Sequence, residues 1–203
     1  MGGASRSVSL ILASGSAARR QLLEAAGLVF EVDPPRVDEE AAKASLRAGG
    51  LRPRDQADAL AELKALSISR TRSGFVIGAD QMLALGAEVF DKPKDTNEAK
   101  QHLRRLRGQT HELITAAVVA RDGAIIWRHI DTPKLKMRAF SDAFLDDYLE
   151  RAGGKVLLSV GAYQLEGMGA QLFERVEGDY FSVLGLQLLP LLAFLREHGL
   201  VRV

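Results

Sequence analysis

Strand-like and helix-like stretches alternate along this chain, and that alternation narrows the fold to the α/β class. "SVSLILA" (7–13) is a short apolar run of strand type, residues 16–26 carry a helical period closed by Gly27, and "LVFEV" (28–32) reads as a strand again. Pro34 and Pro35 then interrupt regular structure, which leaves Asp38, Glu39 and Glu40 in a loop. Residues 55–72 read as a helix, "FVIGA" (75–79) as a buried strand ending in Asp80, and Gly86 as the centre of a hairpin. A further helix begins near Asp95 or Thr96 and stops at Gly108. Two apolar runs, 112–120 and 124–130, meet at Arg121-Asp122-Gly123, a hairpin signal. A strand near "PKLKMRA" precedes Ser141, the expected N-cap of the helix "DAFLDDYLERA". The stretch 154–186 is punctuated by glycine without a clear period, and "LLPLLAFLREHG" closes the chain as a helix. Hairpins interleaved with strand-helix units predict a mixed sheet. A chain of 203 residues, 47% hydrophobic, is enough for one core or two small lobes sharing a sheet, and the expectation is a single domain over 1–203.

Charge and cysteine content narrow the function. A net charge of +1, from 27 basic and 26 acidic residues, lacks the one-signed field of a nucleic-acid or membrane-surface protein, so a small-molecule partner is expected. The absence of cysteine rules out disulfides, thiol catalysis and thiolate zinc sites. The apolar run near the N-terminus is too short for a signal peptide or a span, and no other uninterrupted run approaches about 18 residues. These features fit a cytoplasmic enzyme or binding domain.

Charged residues stand in unusual places. Arg19 and Arg20 occupy the expected first turn of the helix after Ser14-Gly15-Ser16, an end that favours anions and disfavours cations. A strand turning into a helix there leaves outward N–H groups, and guanidinium groups beside them suit a bound phosphate. The plainer reading, two exposed arginines tolerated at a cost of about a few tenths of a kcal/mol, stays open from this stretch alone. Asp38, Glu39 and Glu40 read equally as a solvated loop or as oxygen ligands for Mg²⁺. Lys64 shares the helical stripe of Leu60 and Ile68 and so either snorkels or faces a ligand. Asp80 falls at the carboxyl end of a strand, where α/β sheets place ligands. Lys92 precedes Pro93, which restricts it to extended shapes.

Taken in order, "LASGSAARRQLLEAAGLVFEV", "VDE", "GADQ", "KPKD", "LRRLRGQTHELIT", "GAYQLEGMGAQLFERVEGDY" and "VLGL" resemble the Maf family of nucleotide pyrophosphatases, relatives of the inosine-triphosphate pyrophosphatase fold, from about residue 10 to 190. The resemblance implies an elongated mixed sheet flanked by helices, two lobes with a nucleotide cleft, and commonly a homodimer. It implies hydrolysis of a nucleoside triphosphate between its α and β phosphates, with Mg²⁺ or Mn²⁺, as a house-cleaning reaction on unwanted or modified nucleotides. By position, Ser14 and Arg19 match the family's phosphate loop, with Arg20 beside them; Glu39 matches the acidic metal-supporting position. Lys64 matches the helix lysine, and Asp80 and Lys92 match the motifs "GAD" and "KP". Arg19, Lys64 and Lys92 would stabilise charge building on pyrophosphate. Asp80 is the expected base and Glu39 the expected metal ligand, with Asp80 also a candidate to hold the metal.

The departures bear on substrate. Ala17-Ala18 stands where the family usually has Pro followed by Arg or Trp. Gln81 and Glu166 follow the branch resembling 7-methyl-GTP pyrophosphatases, whereas Ala79, Ala162 and Tyr163 follow the branch resembling dTTP and UTP pyrophosphatases. Glutamate accepts hydrogen bonds, as a guanine N1–H and amino group require, so the expectation tilts to 7-methyl-GTP or another purine. The alternatives are a dTTP/UTP pyrophosphatase and a non-catalytic nucleotide-binding regulator of cell division. His102, His111, His129 and His198 have no metal-ligand spacing and read as ordinary surface or core residues, and Trp127 reads as packing.

Overall fold

The computed structural model describes residues 9–202; Ser7 and Val8 of the first predicted strand, and most of the stretch read as too short for a signal peptide, lie outside the described residues. Strand β1 (Leu10–Ala13) is buried throughout and leads through residues 14–16 into α1 (Ala17–Ala25), where the Ser16 side chain caps by accepting from the Arg19 amide. The second strand, β2, shrinks to Glu31–Val32, both exposed. Glu39 and Glu40 are not in a loop. They open α2 (Glu39–Ala48), because Asp38 accepts from the Ala41 amide at 3.0 Å as an N-cap and acidic residues suit a first turn.

Next comes α3 (Pro53–Ser69), with proline at its first position, where the missing N–H costs nothing. The following strand, β3 (Phe75–Leu85), does not end at Asp80 as its apolar run suggested. Its parallel pairing with β1 reaches only Ala13↔Gly78, but an antiparallel hairpin with β4 (Glu88–Phe90) sustains the strand to Leu85. Asp80 therefore lies within a strand, just beyond its parallel ladder. Helix α4 (Thr96–Leu106) is capped by Asp95, as its sequence predicts. The predicted hairpin is β5 (Thr110–Arg121) with β6 (Ala124–Asp131), turning on positive φ at Asp122 (52°) and Gly123 (76°). Strand β7 (Lys134–Met137) and α5 (Asp142–Ala152), capped by Ser141, follow as expected. The glycine-punctuated stretch resolves into three 3₁₀ turns (153–157, 160–162, 168–172), β8 (Phe173–Glu177) and the single turn α6 (Tyr180–Val183), before α7 (Leu188–Glu197).

The strands form one mixed sheet in the order β2-β1-β3-β5-β7-β8, with β4 on β3 and β6 on β5, flanked by helices. By contact the chain divides into two compact units: the described parts of Met1–Asp80 and Leu186–Val203 with Ala116–Ile130, and Gln81–Thr115 with Asp131–Gly185. In the first, Ile11, Leu12, Leu60 and Ile77 are fully buried, and Trp127 packs its ring 5.7 Å from that of Phe194. The second has its own core around Leu83, Leu103, Leu113, Leu135 and Tyr148. Each fully buried leucine contributes about 2 kcal/mol of transfer free energy. No helix among the described residues is long and apolar enough to cross a membrane.

Candidate active site

The arginines that sequence placed in an unfavourable first turn separate on folding. Arg19 turns inward and is buried. Its Nη1 donates to Ser14 Oγ at 3.2 Å and to the Ala79 carbonyl at 2.9 Å. It thus ties the loop after β1 to β3 immediately before Asp80. Burial lowers its pKa, opposed by the Asp80 and then the Glu39 carboxylate. Ser14 accepts from both Arg19 and the Ser16 amide, which fixes the turn between strand and helix. Arg20 points to solvent and pairs with Glu24 one turn on, at 2.7 Å. Such an exposed pair contributes little.

Helix α3 supplies the next side chain because it packs unusually close to β3. A Cβ on Gly78 would collide with the Ala61 carbonyl oxygen and lie 2.8 Å from the Ala65 amide nitrogen, so only glycine permits this approach. Lys64, on the face predicted from Leu60 and Ile68, is then buried over β3. Its ammonium lies 2.8 Å from Asp80 Oδ1 and 2.8 Å from Glu39 Oε2. The α2 helix missed from sequence brings Glu39 there, half-exposed, from its first turn. Lys64 thus bridges two carboxylates, which take two of its three N–H donors.

Asp80 is the buried end of this chain of contacts. Its Oδ1 takes the Lys64 ammonium, whereas Oδ2 is buried and has no hydrogen-bond partner. A buried carboxylate oxygen without a donor costs about 1–3 kcal/mol, so this atom is suited to a proton, a water or a cation. The formal charges of Arg19, Lys64, Glu39 and Asp80 cancel.

Two carboxylates, one with a free buried oxygen, fit a hard divalent cation of the Mg²⁺ kind, which takes one or two protein carboxylates and completes its shell with water and phosphate. No group of three or more His, Asp or Glu suited to a metal occurs among the described residues.

The remaining predicted residues belong to the second unit. Lys92 and Glu166 are exposed, Lys92 on the segment between β4 and α4 and Glu166 in the glycine-rich stretch. Gln81 is half-buried, and its amide donates within the protein to Thr115 Oγ1 (2.8 Å) and the carbonyls of Ser182 (3.0 Å) and Val183 (3.1 Å). Neither Thr115 nor Ser182 carried a signal in the sequence. His111, read as an ordinary residue, is fully buried with Nε2 2.7 Å from the Tyr163 hydroxyl.

The chain is 56% identical over 190 residues to a nucleoside triphosphate pyrophosphatase of Hyphomonas neptunium, covering 94% of this chain and 96% of that protein. It is 55% identical over 192 residues to the nucleoside triphosphate pyrophosphatase of Caulobacter vibrioides, covering 95% and 96%. It is 51% identical over 193 residues to the 7-methyl-GTP pyrophosphatase of Rhizobium meliloti, covering 95% and 97%. The family described as Maf-like protein matches residues 9–198, and the chain belongs to that family.

Proposed function

We propose that this protein is a nucleoside triphosphate pyrophosphatase that converts a triphosphate and water to the monophosphate and pyrophosphate. The observation that carries the reading is Asp80: a buried carboxylate held by Lys64 through one oxygen, with the other free, in a chain more than half identical to proteins named for this activity.

In this mechanism Asp80 Oδ2 accepts the proton of the attacking water. Lys64, by holding Oδ1, leaves Oδ2 as the oxygen that faces the reactants. Arg19, buried and tied to Ser14 and Ala79, offers fixed positive charge to the phosphates without reorganising. Pyrophosphate departs as the P–O bond to the monophosphate breaks. A divalent cation held by Glu39 and Asp80 would offset phosphate charge and acidify a bound water. It would share both carboxylates with the Lys64 ammonium, so metal affinity is expected to rest largely on the bound triphosphate.

For substrate, we favour 7-methyl-GTP or another purine triphosphate, supported by Glu166 as an acceptor and by the relative named a 7-methyl-GTP pyrophosphatase. The test is pyrophosphate release with Mg²⁺ or Mn²⁺ across 7-methyl-GTP, GTP, ITP, dTTP and UTP. Release that is fastest with a guanine base supports the substrate assignment; a pyrimidine preference reverses it; binding without release from any nucleotide favours the regulator.

A further inference from the structure

Helix α2 sits on the first unit by a narrow face. None of its residues is fully buried; Glu39, Ala42, Lys43 and Leu46 form a half-buried stripe against α3, and the other positions are exposed. Its end groups are closed from within. Asp38 Oδ1 accepts from the Ala41 amide, and the Gly50 and Leu51 amides donate back to the Arg47 (2.9 Å) and Leu46 (3.2 Å) carbonyls. The helix can therefore shift as a body without breaking its own hydrogen bonds. The chain is pinned on either side of it. Before it, the Asp33 amide donates to the Leu12 carbonyl at 3.1 Å and the Asp33 carboxylate accepts from Arg72; after it, the buried Gln56 amide donates to the Leu51 carbonyl at 2.6 Å. Between pins and helix lie residues 34–37, which belong to no element, and Gly49-Gly50, the second at φ 71°.

An ion pair joins this segment to the buried carboxylate. Glu39 Oε2, on a half-exposed side chain, lies 2.8 Å from the Lys64 ammonium, which also holds the buried Asp80. The sign of the force on Glu39 then depends on what occupies the site. A triphosphate without metal sets like charge against this carboxylate, and a divalent cation between the two reverses the sign. We propose that residues 34–50 are a strap latched by Glu39, loosened by a metal-free triphosphate and drawn down by the metal complex, so that α2 selects the metal-bound form of the substrate. This rests on the pyrophosphatase reading above.

The experiment follows hydrogen exchange of the amides of 42–50, with those of 60–68 in α3 as reference, in the wild type, Glu39→Gln and Glu40→Gln. Both variants lose a first-turn charge, which weakens a helix by itself, but Glu40 is exposed and it is Glu39 that pairs with Lys64. Without ligand, α2 should exchange about fivefold faster in Glu39→Gln than in Glu40→Gln. Equal rates overturn the proposal. The wild type is then measured with α,β-methylene-GTP, which cannot be cleaved at the α–β bridge, in EDTA and in Mg²⁺. Exchange in α2 should quicken with the analogue in EDTA and fall below the ligand-free rate with the analogue and Mg²⁺. Should Glu39→Gln fail to fold, this series decides the matter alone. If calorimetry registers binding while the α2 rate stays constant, slows without metal or fails to slow with it, the proposal is overturned and the pyrophosphatase reading stands. Failure of the α,β-methylene analogues of GTP, 7-methyl-GTP and dTTP to bind in either condition is a different outcome: it removes that reading, and the strap's selectivity with it.

Discussion

Lowering the pH should destabilise this protein through one histidine. His111 is fully buried against Tyr163 and Phe173, with ring centroids 5.6 and 5.9 Å away, and its Nδ1 has no partner. Burial drives its pKa from 6.5 down to about 4. The facing Tyr163 hydroxyl is pushed well above its ordinary value by burial, so the contact between them is neutral at physiological pH. Above pH 6.5 neither folded nor unfolded chain protonates this ring, and stability is independent of it. Between 6.5 and 4 the unfolded chain takes up a proton that the folded one refuses, so stability falls as pH falls. At pH 4.5 the difference between pKa values of 6.5 and about 4 amounts to about 2.5 kcal/mol. The assay is urea unfolding of the wild type and His111→Gln at pH 7 and 4.5. The variant is less stable at pH 7, because Tyr163 loses its partner, but the gap should narrow by about 2.5 kcal/mol at the lower pH. Parallel pH dependence in the two proteins would refute the argument.

Two further predictions concern the scaffold of the site. Gly78→Ala should destabilise by about 1–3 kcal/mol in urea unfolding and reduce turnover, since α3 must retreat from β3 and take Lys64 with it; unchanged stability would mean that the close approach is not needed. Lys64→Met, which leaves Asp80 buried without its cation, should cost about 3 kcal/mol, and a loss below about 1 kcal/mol would show that the pair is more weakly coupled than its burial implies.

Features set by local chemistry were legible in the sequence. Ser16, Asp95 and Ser141 cap helices by hydrogen bonds within three residues, and Asp122-Gly123 supplies the two positive φ angles of a hairpin. Lys64 could be placed on a buried stripe because helical periodicity is itself local. The α2 helix escaped notice because none of its residues is fully buried, and the prolines before it mark the preceding segment rather than the helix. Extension of β3 past Asp80 depends on a second partner strand, a tertiary effect. The partners of the Gln81 amide were not legible, because the acceptors lie in β5 and α6, far along the chain. Arg19 and Arg20 look alike in sequence, yet one is buried at the carboxyl end of β1 and the other pairs on the surface.

The central claim is that the free oxygen of Asp80 takes the proton of the attacking water. The most direct test measures pyrophosphate release and nucleotide binding side by side for the wild type and Asp80→Asn, with Mg²⁺ and the preferred triphosphate. The asparagine retains shape but cannot accept that proton, so turnover should vanish while binding stays measurable. Wild-type turnover in Asp80→Asn would contradict the account.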